Sequence, residues 1–355
     1  MKLSSSACFL MLALNVFGQD SLPLNRFRIL ASHNSYKKFP SQKEMRFLNK
    51  IKKQLGSDNN PEMIDYGHAT LEDQLTLYGI RGLELDVYAD PTGKAFQKRQ
   101  IGFFARGVKK KSNEPSLKEP GLKILHIKDI DFETHAYTFA DALIQLRNWS
   151  VKNPNHFPVY VNIELKEDGP GNSSRMLQRL GFKKAPIFDV AAWNELNQTI
   201  VQTLADRLLT PLDMKGDFAD LHERIDSMGW PTLADSRGKF IFVVEGFNQH
   251  TQDLYWKNAI DFPVFGYGNA DQKNCIFLLR NDPVGHEEEI ATWVRKGYVV
   301  RTRADAGTIE SRNNSVVRRE SAFNSRAQLV STDYYLPNLN FSEYSVQLPS
   351  KTEFE

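Results

Sequence analysis

The chain has 355 residues, 41% hydrophobic and 25% charged, the balance of an ordinary globular protein with room for one large domain or two small ones. With 45 Lys and Arg against 43 Asp and Glu, the formal charge of +2 gives no argument for nucleic acid, no nucleic-acid partner is expected, and any anion site must be local.

The first residues, MKLSSSACFLMLALNVFGQD, place Lys2 ahead of an apolar run from Ala7 to Phe17 and the small residue Gly18. That run is too short to span a bilayer and has the shape of a secretion signal, residues 1–18, with cleavage expected after Gly18. An uncleaved anchor is the alternative. The expected product is 19–355, secreted or periplasmic. Cys8 leaves with the signal, and Cys275 in the apolar run CIFLL is then a lone thiol suited to packing. No other apolar stretch is long enough for a transmembrane helix.

Strand-like runs follow in the order FRILAS (27–32), IRGLELDVY (80–88), LKILHI (122–127), FPVYVNIELK (157–166), KFIFVVEG (239–246), CIFLL (275–279), YVVRTR (298–303) and AQLVSTDY (327–334). Helical patterns lie between most of them. Thr70 with Asp73 opens one, Thr138 with Asp141 another, residues 189–209 form a long amphipathic stretch, and GHEEEIATWVRKG ends at Gly297. Eight strands alternating with helices predict an α/β fold: a single-domain (β/α)8 TIM-type barrel, with room for distortion. No glycine-rich phosphate loop follows a strand, which weighs against an open nucleotide-binding sheet. The stretch from Ala89 to Gly121 is long for a barrel loop and basic, with Lys109, Lys110 and Lys111 near Phe103 and Phe104. That pairing suits a lipid surface, although an ordinary solvated loop is the simpler reading.

Buried parallel strands should be continuously apolar, yet several here carry ionisable residues near their C-terminal ends. In LELDV, Glu84 and Asp86 share one face. In VYVNIELK, Asn162, Glu164 and Lys166 do the same, and Arg301, Arg303 and Asp305 follow suit in VVRTRAD. Glu84, Asp86 and Glu164 would repel one another in a barrel interior without a cation between them. With Asn34 they make a set of hard oxygen donors that suits Ca²⁺ better than Mg²⁺, and no cysteine or histidine spacing points to zinc. A structural network with Arg81 or Lys123 is the alternative. One histidine at a strand end reads as a core residue. Two, His33 and His126, each beside a carboxylate-bearing strand, read as a pair for proton transfer at a phosphate. His68, His135, His156, His222, His250 and His286 are expected at the surface.

Taken in order, SHNSY, LELDVYADP, LHIKDIDFETHAYTFADAL, NPNHFPVYVNIELK, RTRADA and STDYY resemble the calcium-dependent phosphoinositide-specific phospholipase C family of bacteria and fungi, over roughly residues 25 to 335. The resemblance implies His33 and His126 as catalytic residues, and Asn34, Glu84, Asp86 and Glu164 as Ca²⁺ ligands. Lys166, Arg301 and Arg303 are the candidates for meeting substrate anionic groups. It further implies a monomer cleaving phosphatidylinositol-type phospholipids to diacylglycerol and a cyclic or open inositol phosphate, with a phospholipid and a transient membrane surface as partners. Lys37-Lys38 and the long basic loop depart from the family pattern and bear on substrate choice. The alternatives are a glycerophosphodiester phosphodiesterase-like enzyme acting on soluble head groups and a non-catalytic barrel that binds Ca²⁺ or inositol glycans.

Overall fold

The computed structural model describes residues 19–55 and 59–349, and the expected secretion signal lies outside them. Nine strands form the sheet: β1 Ile29–Ser32, β2 Gly82–Tyr88, β3 Lys123–Ile124, β4 Val159–Lys166, β5 Phe240–Glu245, β6 Phe265–Gly266, β7 Phe277–Leu279, β8 Val299–Arg303 and β9 Leu329–Thr332. Eight of them run parallel in the order β6-β5-β4-β2-β1-β9-β8-β7. A parallel bridge between Tyr267 and Phe277 brings the two ends together, so the sheet is a nearly closed barrel.

The expected count of eight barrel strands holds, but its membership changes. The run at 122–127 supplies only β3, which pairs antiparallel with the end of β2 outside the barrel path. A parallel return would need a helical crossover of a dozen or more residues, whereas 89–121 contains only the 3-10 turns Gln100–Phe103 and Pro115–Lys118. The eighth barrel strand is β6. Its two residues, bounded by Pro263 and Gly268, are too few to show a period.

Strand alternation divides the molecule into two cores. Leu83, Leu85, Val161, Ile163, Phe242 and Val244 face outward against helix residues such as Phe139, Leu143, Leu146 and Trp193. Each such large side chain contributes about 2 kcal/mol on burial. That packing helix, Phe139–Lys152, starts where Thr138 accepts the amide of Asp141, as expected, and Thr70 caps Leu71–Thr76 in the same way. Inside the barrel, Ile29, Tyr160, Ile241, Val243, Phe277, Val299 and Leu329 pack together as an apolar floor. The next positions on the same inward faces are polar: Glu84, Asp86, Asn162, Glu164, Glu245, Arg301 and Arg303. They stand at the C-terminal ends of the strands, where a barrel presents its chemistry. β1 and β2 approach closely at Ala31 and Gly82, and a methyl at Gly82 would come within 2.5 Å of the Ala31 side chain.

Cys275 is buried and its Sγ reaches the Phe277 carbonyl at 3.3 Å, a packing position as expected. Among the described residues no helix is long and apolar enough to cross a membrane.

Candidate active site

Register builds the acidic row. Asp86 lies opposite Glu164, and Glu164 opposite Glu245, on three adjacent strands. Oxygens of Glu84, Asp86 and Glu164 all fall within 4.8 Å of one another. Burial, and then repulsion from Glu164, push the Asp86 carboxyl well above its ordinary range. Burial raises Glu84 to about 7 even though Arg301 opposes the shift. Both oxygens of Asp86 are buried without a hydrogen-bond partner. A buried acceptor left so bare is costly unless a cation meets it.

Two fixed cations answer part of this charge. Arg301 donates to Glu84, and also lies 3.3 Å from Glu245. Lys166 stands 3.1 Å from Glu164 and 3.7 Å from Asp86. Burial works to lower the Lys166 ammonium, but Asp86 and Glu164 more than offset it and hold it above its usual value. Four carboxylates face one guanidinium and one ammonium, a surplus of acidic groups that a divalent cation would offset. The oxygen-only donor set fits Ca²⁺.

Asn34 belongs to the turn that follows β1. Ser35 locks this turn to β2, its amide bonding the Glu84 carbonyl at 3.0 Å and its hydroxyl accepting the Glu84 amide at 2.7 Å. Asn34 therefore sits next to Glu84, with a left-handed backbone at φ 49°. Its amide nitrogen donates to the Tyr66 hydroxyl at 2.7 Å, which turns Oδ1 the other way, where Tyr36 is 3.4 Å off.

The two histidines have parallel surroundings. His33 Nδ1 is 2.7 Å from Asp333 Oδ1 and His126 Nδ1 is 2.7 Å from Asp131 Oδ2. A carboxylate on Nδ1 fixes that nitrogen as the donor and leaves Nε2 for chemistry. The Nε2 of His33 faces Glu84 at 3.7 Å. Burial, and then the Arg303 guanidinium, depress His33 to about 3, so it is neutral at physiological pH. The Tyr66 ring joins the pair, with its centroid 5.9 Å from that of His33 and 6.4 Å from that of His126.

The structure thus gathers His33, His126, Asn34, Glu84, Asp86, Glu164 and Lys166 at one end of the barrel. His126 arrives by a different route from the one expected, on the turn after β3 and not late in a barrel strand. The two arginines divide. Arg301 is buried and engaged with carboxylates, whereas Arg303 keeps 16% of its side chain exposed and lies 3.3 Å from both Asp333 and His33 Nδ1. Two histidines expected at the surface are buried. His68 Nε2 reaches the His33 carbonyl at 2.7 Å, and His156 pairs with Ser150 at 2.8 Å. Glu245, Asp333, Asp131 and Tyr66 went unnoticed in the sequence. A carboxylate at the end of KFIFVVEG was a legible sign for Glu245, and STDYY and HIKDID held the two histidine partners, but Tyr66 follows no pattern.

Comparison with protein-family models matches residues 22–355 to phosphoinositide phospholipase C, Ca²⁺-dependent. Among solved structures, the chain is similar to the calcium-dependent phosphoinositol-specific phospholipase C of a Pseudomonas species. The identity is 15%, the TM-score 0.53, and the match covers 93% of this chain and 94% of that one. It is similar also to the Ca²⁺-dependent phosphatidylinositol-specific phospholipase C of Streptomyces antibioticus, again at 15% identity, with a TM-score of 0.50 and coverage of 88% and 95%. Comparison with curated proteins gave no match.

Proposed function

This chain belongs to the Ca²⁺-dependent phosphoinositide phospholipase C family, and from that premise we propose that it is a secreted enzyme cleaving phosphatidylinositol-type lipids into diacylglycerol and an inositol phosphate. The observation that carries the reading is the bare, buried Asp86 carboxylate among Glu84 and Glu164, flanked by two histidines whose Nδ1 atoms are already committed to aspartates.

Glu84, Asp86, Glu164 and Asn34 would hold the Ca²⁺. When bound, the ion supplies positive charge against a phosphoryl oxygen and makes a nearby hydroxyl more acidic. The chain's own groups do the rest. Neutral His33, donating through Nδ1 to Asp333, has an acceptor at Nε2 and takes the proton of the attacking inositol hydroxyl. His126, oriented by Asp131, passes a proton to the departing glycerol oxygen. Arg303, partly exposed beside His33, meets phosphate charge that develops there. Arg301 sets the position of Glu84 and stays out of substrate contact.

The test is the product. ³¹P NMR of the reaction with phosphatidylinositol should show a five-membered cyclic inositol phosphate. The reaction should stop with EGTA and resume with Ca²⁺. Faster turnover of soluble glycerophosphoinositol than of the lipid would overturn the substrate, and recovery with Mg²⁺ alone would overturn the metal.

A further inference from the structure

The two loops that leave the C-terminal ends of β2 and β4 have an unusual composition. Residues 91–113 contain seven Lys or Arg, residues 169–188 contain four, and neither stretch has an Asp or Glu. The chain as a whole is almost neutral, so this charge is concentrated and not part of a general surplus. Of these side chains, Arg106, Lys109, Lys110, Lys111, Arg175, Arg179, Lys183 and Lys184 are exposed. Among the described residues none of those eight has a carboxylate partner within 4.0 Å.

The loops lie side by side because β2 and β4 are neighbours. Gln100 Nε2 donates to the Leu180 carbonyl at 2.7 Å, and the Phe104 ring stacks on Phe182 at 5.9 Å with the planes only 4° apart. That junction exposes a set of large apolar side chains: Phe103 is 49% exposed, Phe104 42%, Met176 65% and Leu180 46%. Lys110 Nζ sits 4.9 Å over the Phe103 ring, so cation and aromatic occupy the same surface. Lys43, Arg46 and Lys109 also line an adjoining cleft of about 380 Å³, where Arg99 pairs with both of the cleft's acids, Glu44 and Glu133. The Gln100 and Ile101 amides bond Asp129, on the loop that carries His126 and Asp131, which places the patch at the rim of the barrel mouth.

We propose that this rim is a docking surface for a bilayer containing anionic lipids, with Phe103, Phe104, Met176 and Leu180 entering the interface and the surrounding Lys and Arg meeting lipid charge. Contiguous exposed apolar side chains mark interaction sites. Two adjacent loops whose exposed cations have no carboxylate partner suit a negatively charged membrane surface, where each contributes on the order of a fivefold gain in binding. The inference rests on the proposed function only for the substrate's being a lipid, since docking at this rim would bring the mouth against the membrane.

Flotation with vesicles of phosphatidylcholine alone, or with 30% phosphatidylserine and no inositol lipid, tests it in the presence of EGTA. The protein should float with the phosphatidylserine vesicles and stay behind with pure phosphatidylcholine. Replacing Lys109, Lys110 and Lys111 by Gln should weaken binding on the order of 100-fold, and Phe103→Ser with Met176→Ser about tenfold, while hydrolysis of soluble glycerophosphoinositol is unchanged. Absence of vesicle binding overturns the surface, as does binding that ignores both sets of substitutions. Salt-sensitive binding that needs the lysines but is indifferent to Phe103→Ser with Met176→Ser would show plain polyanion attraction and overturn it too. The two readings fail separately. Normal vesicle binding without lipid turnover would discard the function and keep the surface, and normal turnover without binding would do the reverse.

Discussion

Lys37 and His126 share one carboxylate oxygen: Lys37 Nζ lies 3.1 Å and His126 Nδ1 2.7 Å from Asp131 Oδ2. Lys37 is fully buried and also donates to the Ile64 and Tyr66 carbonyls at 2.8 and 2.6 Å. The lysine that departs from the family pattern is therefore an internal strut. It holds the Asp131 carboxyl below the ordinary range against burial, together with His126. Lys37→Met should destabilise the protein by about 3 kcal/mol, the usual cost of breaking a buried pair, measured by urea unfolding at pH 7. A loss below about 1 kcal/mol would show that the ammonium is dispensable.

His33→Ala and His126→Ala should each lower turnover by several orders of magnitude and leave the circular dichroism spectrum unchanged, because both side chains lie at the mouth and not in either apolar core. Near-normal activity in either variant removes that residue from the mechanism.

Asp86→Asn separates metal binding from folding. Asp86 is a buried carboxylate with neither oxygen hydrogen-bonded, so the neutral amide relieves its desolvation and should leave stability without Ca²⁺ within about 1 kcal/mol of the original. Raising the Ca²⁺ concentration should increase the melting temperature of the original protein and leave that of the variant unchanged. An equal shift in both would place the ion elsewhere.

Acid should remove the stability contributed by two buried histidines. Burial depresses His68 to about 4 and His33 to about 3, against an ordinary value near 6.5. Above pH 6.5 both folded and unfolded chains carry neutral imidazoles and stability is complete. Below it only the unfolded imidazoles take up protons, so the share of stability due to these two groups falls until the pH reaches the folded values. Glu84 and Asp86, held above their usual range, gain protons in the folded chain and act the other way. Each histidine removes on the order of 2 kcal/mol by pH 5. Urea midpoints at pH 7 and pH 5 measure the loss, and His68→Gln should reduce it. An equal change of midpoint in the original protein and in His68→Gln would refute the account.

The sequence disclosed most of the site because a buried strand has a strict rule and breaks it visibly. Glu84, Asp86 and Glu164 interrupt apolar runs at a two-residue spacing, and that spacing alone aims them at one interior. His126 was legible as a residue but not as a position, since its segment reads as a strand and only the missing crossover helix shows that it cannot join the barrel. β6 was hidden by its brevity. Tyr66 was hidden because loop residues that meet through tertiary contacts leave no period in the chain. Glu245 ends an apolar run much as Glu164 does, but without a second polar residue two positions away it gave no repeat to notice.

The left-handed backbone at Asn34 limits what evolution can place there. Most side chains are strained in that conformation, asparagine and aspartate tolerate it, and glycine tolerates it but has no oxygen to offer. Glutamine has the right chemistry with the wrong backbone, and alanine lacks both. The tight bend at Asn34 thus leaves this position a choice of two residues, whatever the loops around it become.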